Sequence, residues 1–108
     1  MKKVQTKLFY EITSKVKQTV KEFDPNAEII LFGSRARGDY KKDSDWDFLI
    51  LTDKSAQDKT INDLKYNIFK IVIETKNHIF PLVENKADWR NIEVTEIFQN
   101  IKSEGLAV

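Results

Sequence analysis

Two short stretches carry the residue types that chemistry needs. The first is Gly33-Ser34, which directly follows the apolar run EIILF from Glu28 to Phe32; the second is the pair Asp45 and Asp47, at the start of the run WDFLIL from Trp46 to Leu51. Gly33 lets the backbone turn sharply, or approach a ligand with no Cβ in the way. Ser34 suits the N-cap of a short helix through Arg35, Ala36 and Arg37, which leaves free N–H groups aimed beyond the strand end. That arrangement is a seat for phosphate, and the planar forks of Arg35 and Arg37 match phosphate oxygens.

The two acids complement the seat. In a strand, period two puts Asp45 and Asp47 on one side with their Cα atoms about 7 Å apart, so both side chains reach a shared cation. Without a cation, two carboxylates roughly 5 Å apart at an effective dielectric of about 20 repel by about 3 kcal/mol. A hard metal removes that repulsion. Oxygen ligands drawn from one or two carboxylates plus substrate phosphates are what Mg²⁺ prefers, because it sheds water reluctantly.

Each element alone has a bland reading: a Gly-Ser turn, or a solvated strand edge. Their conjunction argues otherwise, since each is tied to its own strand and a hairpin brings them to the same end of a sheet. Asp47 also interrupts an otherwise apolar run, where a half-buried acid gives no structural benefit.

Gly33-Ser34 with Gly38, followed by Asp45-Trp46-Asp47, resembles the signature of the DNA polymerase beta nucleotidyltransferase superfamily, in particular its minimal nucleotidyltransferases. The resemblance implies an α/β fold with a small mixed sheet flanked by helices. It implies two Mg²⁺ ions and transfer of a nucleoside monophosphate from a nucleoside triphosphate to an acceptor hydroxyl. By this likeness Gly33 and Ser34 hold the triphosphate and Asp45 and Asp47 ligate metal; from residue type, Arg37 first and Arg35 second are expected to neutralise the phosphates. One departure stands out: active relatives carry a third carboxylate on a later strand. Here that strand is expected at His78 to Val83, with no acid at its centre; Glu74 and Glu84 flank it and read as surface residues.

The elements that must position these residues follow from periodicity. Val4, Leu8, Ile12, Val16, Val20 and Phe23 recur at helical spacing and predict a leading amphipathic helix that ends before Asp24-Pro25. Ile61, Leu64, Ile68 and Ile71 predict a second helix over 56–74. After the third strand, Asp88, Trp89 and Arg90 are expected in a charged turn. A short helix over 95–102 follows, with Ile97, Phe98 and Ile101 inward, and Gly105 ends it. Trp89 reads as packing rather than a base-stacking platform, and His78, the lone histidine, as structural or exposed.

At 108 residues, one domain spanning 1–108 is expected. No cysteine is present, which excludes a disulfide scaffold and a thiolate metal site. The segment MKKVQTKLFYEI lacks the apolar core of a signal peptide, and no stretch reaches membrane-spanning length, so a cytoplasmic protein is expected. With 18 basic and 17 acidic side chains, net charge is +1, and no global field recruits nucleic acid.

Three functions compete. One is an enzyme moving AMP from ATP to a hydroxyl on a protein or small molecule. Another is an antitoxin that neutralises a helical partner of the HEPN type, by modifying it or by binding alone, as the family resemblance implies. The third is an antibiotic-modifying nucleotidyltransferase; such enzymes usually add a second domain that forms the acceptor pocket, so the short chain speaks against that expectation. Assembly state stays open, a homo-oligomer included.

Overall fold

The computed structural model describes residues 6–108. Thr6 caps the first helix, α1 (Lys7–Phe23), by accepting from the Phe9 N–H at 3.2 Å. Val4, assigned to this helix by periodicity, lies outside the described residues. Ile12, Val16 and Val20 are fully buried, as their i, i+4, i+8 spacing requires. Strand β1 (Glu28–Phe32) leads into the one-turn helix α2 (Ser34–Arg37), and β2 (Trp46–Thr52) follows. Next come α3 (Thr60–Thr75), β3 (Ile79–Asn85), α4 (Lys86–Arg90), α5 (Glu96–Glu104) and β4 (Leu106–Ala107).

The sheet is mixed, in the order β3-β2-β1-β4. β1 runs antiparallel to β2 and β4, whereas β3 runs parallel to β2, with α3 as the crossover. Because β2 is central, both of its faces are covered. Trp46, Phe48 and Ile50 pack with α1 and α3, while Leu49 and Leu51 pack with Trp89, Ile101 and Phe98 on the opposite face. This explains why β2 reads as a continuous apolar run rather than an alternating one. Pro81, which has no N–H to give, sits on the edge strand β3.

Four expectations are corrected. The helix predicted over 56–74 starts at Thr60, since Ser55 and Asp58 hold the preceding turn through their side chains. Residues 88–90 are helical rather than a turn, because Asn85 caps α4 with its side chain, accepting from the Ala87 and Asp88 N–H groups. Ile97, predicted inward, is 46% exposed, and Phe98 and Ile101 alone turn to the core. The fourth strand, β4, was not foreseen. Gly105 does end α5, but with extended backbone; its role is close approach, since a Cβ there would collide with Ile30 and the Ile101 carbonyl.

Asp24 joins the end of α1 to the end of β2. Its carboxylate accepts from the buried Thr52 hydroxyl and from the Asn26 N–H at 2.9 Å. The Thr52 hydrogen bond is the main reason the Asp24 carboxyl is held below the usual range, against the opposing effect of burial. Among the described residues no helix is long and apolar enough to cross a membrane.

A depressed folded-state pKa adds stability above the unfolded carboxylate pKa of about 3.9, and that stability is lost as pH falls through the folded value. Thr52→Val is therefore expected to lower urea-unfolding stability by about 1 to 3 kcal/mol at neutral pH. The gap between variant and wild type should shrink below about pH 4; a gap that stays constant with pH would refute the assignment.

Candidate active site

The register of β1 against β2 decides what can meet at their shared end. Phe32 pairs with Asp47, so the residue after Phe32 turns directly over the Asp47 side chain. That residue is Gly33, at φ 75° and ψ −160°, a region of backbone space open essentially to glycine alone. Space demands glycine too: a Cβ at this position would run into the Asp47 carboxylate. Gly33, not Ser34, takes the cap position of α2, and its carbonyl accepts from the Ala36 and Arg37 N–H groups at 3.0 Å. The expectation that Ser34 caps the helix is thus corrected. Ser34 is its first residue, because the strained glycine already makes the turn.

Asp45 precedes β2 and is exposed, while Asp47 is half-buried inside it. The Asp45 carboxylate lies 3.3 Å from His78 Nδ1, and the His78 carbonyl accepts from the Trp46 N–H at 2.8 Å, which fixes the strand entry between the two acids. Burial, and next the charge of Asp45, push the Asp47 carboxyl above the usual range; Arg37 and His78 oppose this. A cation bound beside Asp47 would oppose the contribution that Asp45 makes to this shift.

The two arginines part company. Arg37 stays at the surface, its guanidinium shared between Asp39 and Glu104 at 3.4 and 3.2 Å. Arg35, read from sequence as a phosphate donor, is buried instead. Its Nη2 donates to the Lys42 and Ser44 carbonyls at 3.1 and 3.2 Å, and Nε donates to the Ser44 carbonyl at 3.3 Å. Its guanidinium carbon stands 4.4 Å from the ring centres of both Tyr40 and Trp46. The reason is local: Trp46 offers a face at the start of β2, and the loop carbonyls ahead of it need donors. Arg35 therefore ties down the loop that delivers Asp45.

The family model described as Nucleotidyltransferase domain matches residues 13–104. The chain belongs to that family. Among solved structures, one described as a crystal structure of a toxin-antitoxin with AMP-PNP shares the fold. It superposes with a TM-score of 0.61 over 87% of this chain and 69% of that one, at 18% sequence identity. No curated protein matches the sequence.

In this nucleotidyltransferase domain the strand neighbour of Asp47 is Phe80, paired with it in parallel register and 48% exposed. The β3 residue beside Asp47 is thus a phenylalanine and not an acid. Glu84 pairs with Leu51, four positions further along β2, and Glu74 is engaged with Lys15 at 2.8 Å, so neither flanking acid enters the site. A different carboxylate does. Glu104, the last residue of α5, accepts from the Gly33 N–H at 3.2 Å through Oε1 and from Arg37 through Oε2. Sequence reading missed it, because nothing in local periodicity reveals that β4 returns the chain beside β1. Trp89 is buried against Phe98, with ring centres 5.2 Å apart, which makes it a packing residue.

Gly33→Ala is expected to cost about 1 to 3 kcal/mol in chemical denaturation. Adding Asp47→Ala should recover part of that loss, since it relieves the collision but not the backbone strain; no recovery would show that crowding by Asp47 is irrelevant. Arg35→Lys should also destabilise, by about 1 to 3 kcal/mol, as an ammonium cannot reproduce the flat two-sided stack with its three hydrogen bonds. Unchanged thermal stability would mean that Arg35 does not hold the loop.

Proposed function

We propose that this domain transfers AMP from ATP to a hydroxyl group on a helical protein partner of the HEPN toxin type, as the antitoxin of the pair. The observation that carries the reading is the contact between the Gly33 backbone and the Asp47 carboxylate, which joins an anion donor and a cation holder at one strand end. In this reading the Gly33 N–H and Arg37 bind the triphosphate, with Ser34 beside them at the start of α2. Arg35 acts indirectly, by holding the loop before Asp45.

The donor set suits a hard cation. Asp45 and Asp47 supply oxygen only, and the charge of Asp45 adds to burial in pushing the Asp47 carboxyl upward. Among the described residues no group of three His, Cys, Asp or Glu side chains is arranged to hold a metal, so phosphate oxygens and water would complete the shell. Mg²⁺ bound there would offset charge building on the leaving pyrophosphate. In the transfer, the acceptor hydroxyl oxygen bonds to the α-phosphorus as the bond to the bridging oxygen breaks. Pyrophosphate departs and the hydroxyl proton passes to water. Dependence on ATP makes the cytoplasm the compartment in which this work is done.

A second reading, capture of the partner without modification, is favoured by Phe80. Without a carboxylate at that position, no group on β3 draws the proton from the acceptor, which slows turnover more than it weakens nucleotide binding.

Calorimetry with ATP should show Mg²⁺-dependent binding to the wild type that disappears in the Asp45→Asn, Asp47→Asn double variant; equal affinity would refute metal-anchored binding. Mass spectrometry of the partner after incubation with the domain, ATP and Mg²⁺ should show one added adenylyl group. An unmodified partner that still copurifies with the domain would establish capture in place of transfer.

A further inference from the structure

We propose that Glu104 is an internal occupant of the phosphate seat: its carboxylate holds the Gly33 N–H and the Arg37 guanidinium until an incoming nucleoside triphosphate displaces it. This deepens the proposed function and rests on its assignment of Gly33 and Arg37 to the triphosphate.

The two oxygens of Glu104 divide the donors between them, Oε1 taking the Gly33 N–H and Oε2 taking Arg37 Nη1, each at 3.2 Å. An anionic phosphate group makes the same demand on the same donors, so the two compete. Its position is enforced by the fold. Glu104 reaches Gly33 from 71 residues along the chain, because Gly105 packs against Ile30 and Leu106 pairs with Leu31. Beside it lies a cleft of about 390 Å³, lined by Gly33, Arg37, Glu96, Asn100 and Glu104 among others. The displaced side chain has room to withdraw there without unfolding α5.

An anion tethered in this way lowers the apparent affinity for triphosphate by the fraction of molecules whose seat is closed. Removing it raises affinity without adding a contact. The contacts are partly exposed, so the gain is modest, about fivefold.

The test titrates MgATP, by calorimetry at fixed ionic strength, into the wild type and the variants Glu104→Gln, Glu104→Ala and Glu104→Asp, with thermal unfolding run on each to verify folding. Gln and Ala are expected to bind about fivefold tighter than the wild type. Asp, which retains the charge but is one methylene too short to span both donors, should also bind tighter, and this separates loss of the contact from loss of repulsion. In nitrogen-15 spectra of the free proteins, the Gly33 amide of Glu104→Ala should move away from its wild-type position. Equal or weaker binding by folded Gln and Ala variants overturns the proposal, the weaker result marking Glu104 as a metal ligand instead. Absence of MgATP binding in the wild type and all variants overturns the seat itself, and the occupant with it.

Discussion

The antiparallel register that sets Phe32 against Asp47 is the constraint on which the site is built. It brings the backbone of the next residue so close to the Asp47 carboxylate that no side chain fits between them, and the chain meets this with a glycine in a conformation denied to other residues. A one-residue slip would turn Asp47 to the other face of the sheet and dissolve the contact. The strain at Gly33 persists because β1 is held on both sides, by β2 and by β4, so local relaxation would break pairing along the whole strand.

The rest of the molecule keeps that register from moving. β2 is buried on both faces, and each buried aliphatic or aromatic side chain contributes about 1.5 to 3 kcal/mol relative to exposure. That apolar anchor lets the strand start with two acids that cost stability: the repulsion between them, and the burial of Asp47, are borne by the core behind. The loop ahead of Asp45 is stiffened by a different device, the Arg35 guanidinium sandwiched between Tyr40 and Trp46 with its donors spent on main-chain carbonyls. The site thus combines a strand entry fixed by packing with a loop fixed by one buried cation.

Much of this was legible in the chain. Apolar runs mark β1 and β2, helical spacing marks α1 and α3, and the strand-end positions of Gly33 and Asp47 anticipate their meeting. Four things were hidden, each for a physical reason. Arginine type does not tell whether its fork faces a ligand or a carbonyl, and the Arg35 guanidinium is turned to the Lys42 and Ser44 carbonyls. Helical status of residues 86–90 depends on a side-chain cap from Asn85, the last residue of β3. The two-residue β4 is too short to have a period. Glu104, in turn, depends on β4, because only a non-local pairing brings the end of α5 to the end of β1.

Phe80 bears on how the activity divides between binding and turnover. In the proposed reading, the donors and the cation that seat a triphosphate would come from the β1–α2 turn, α2 and β2. Drawing the proton from an acceptor needs a base on the far side of the transferred phosphorus, the role a carboxylate on β3 would take beside Asp47. Putting a phenylalanine there leaves the first set of interactions intact and withdraws the second. Because phosphoryl transfer draws most of its acceleration from positioning and charge stabilisation, and general base catalysis typically supplies about 10² to 10⁴-fold, lack of a base there would slow the proposed transfer without abolishing its geometric basis. Phe80 also offers half-exposed apolar surface beside Asp47. A protein side chain, which brings its own apolar surroundings, matches that surface better than a small polar molecule does.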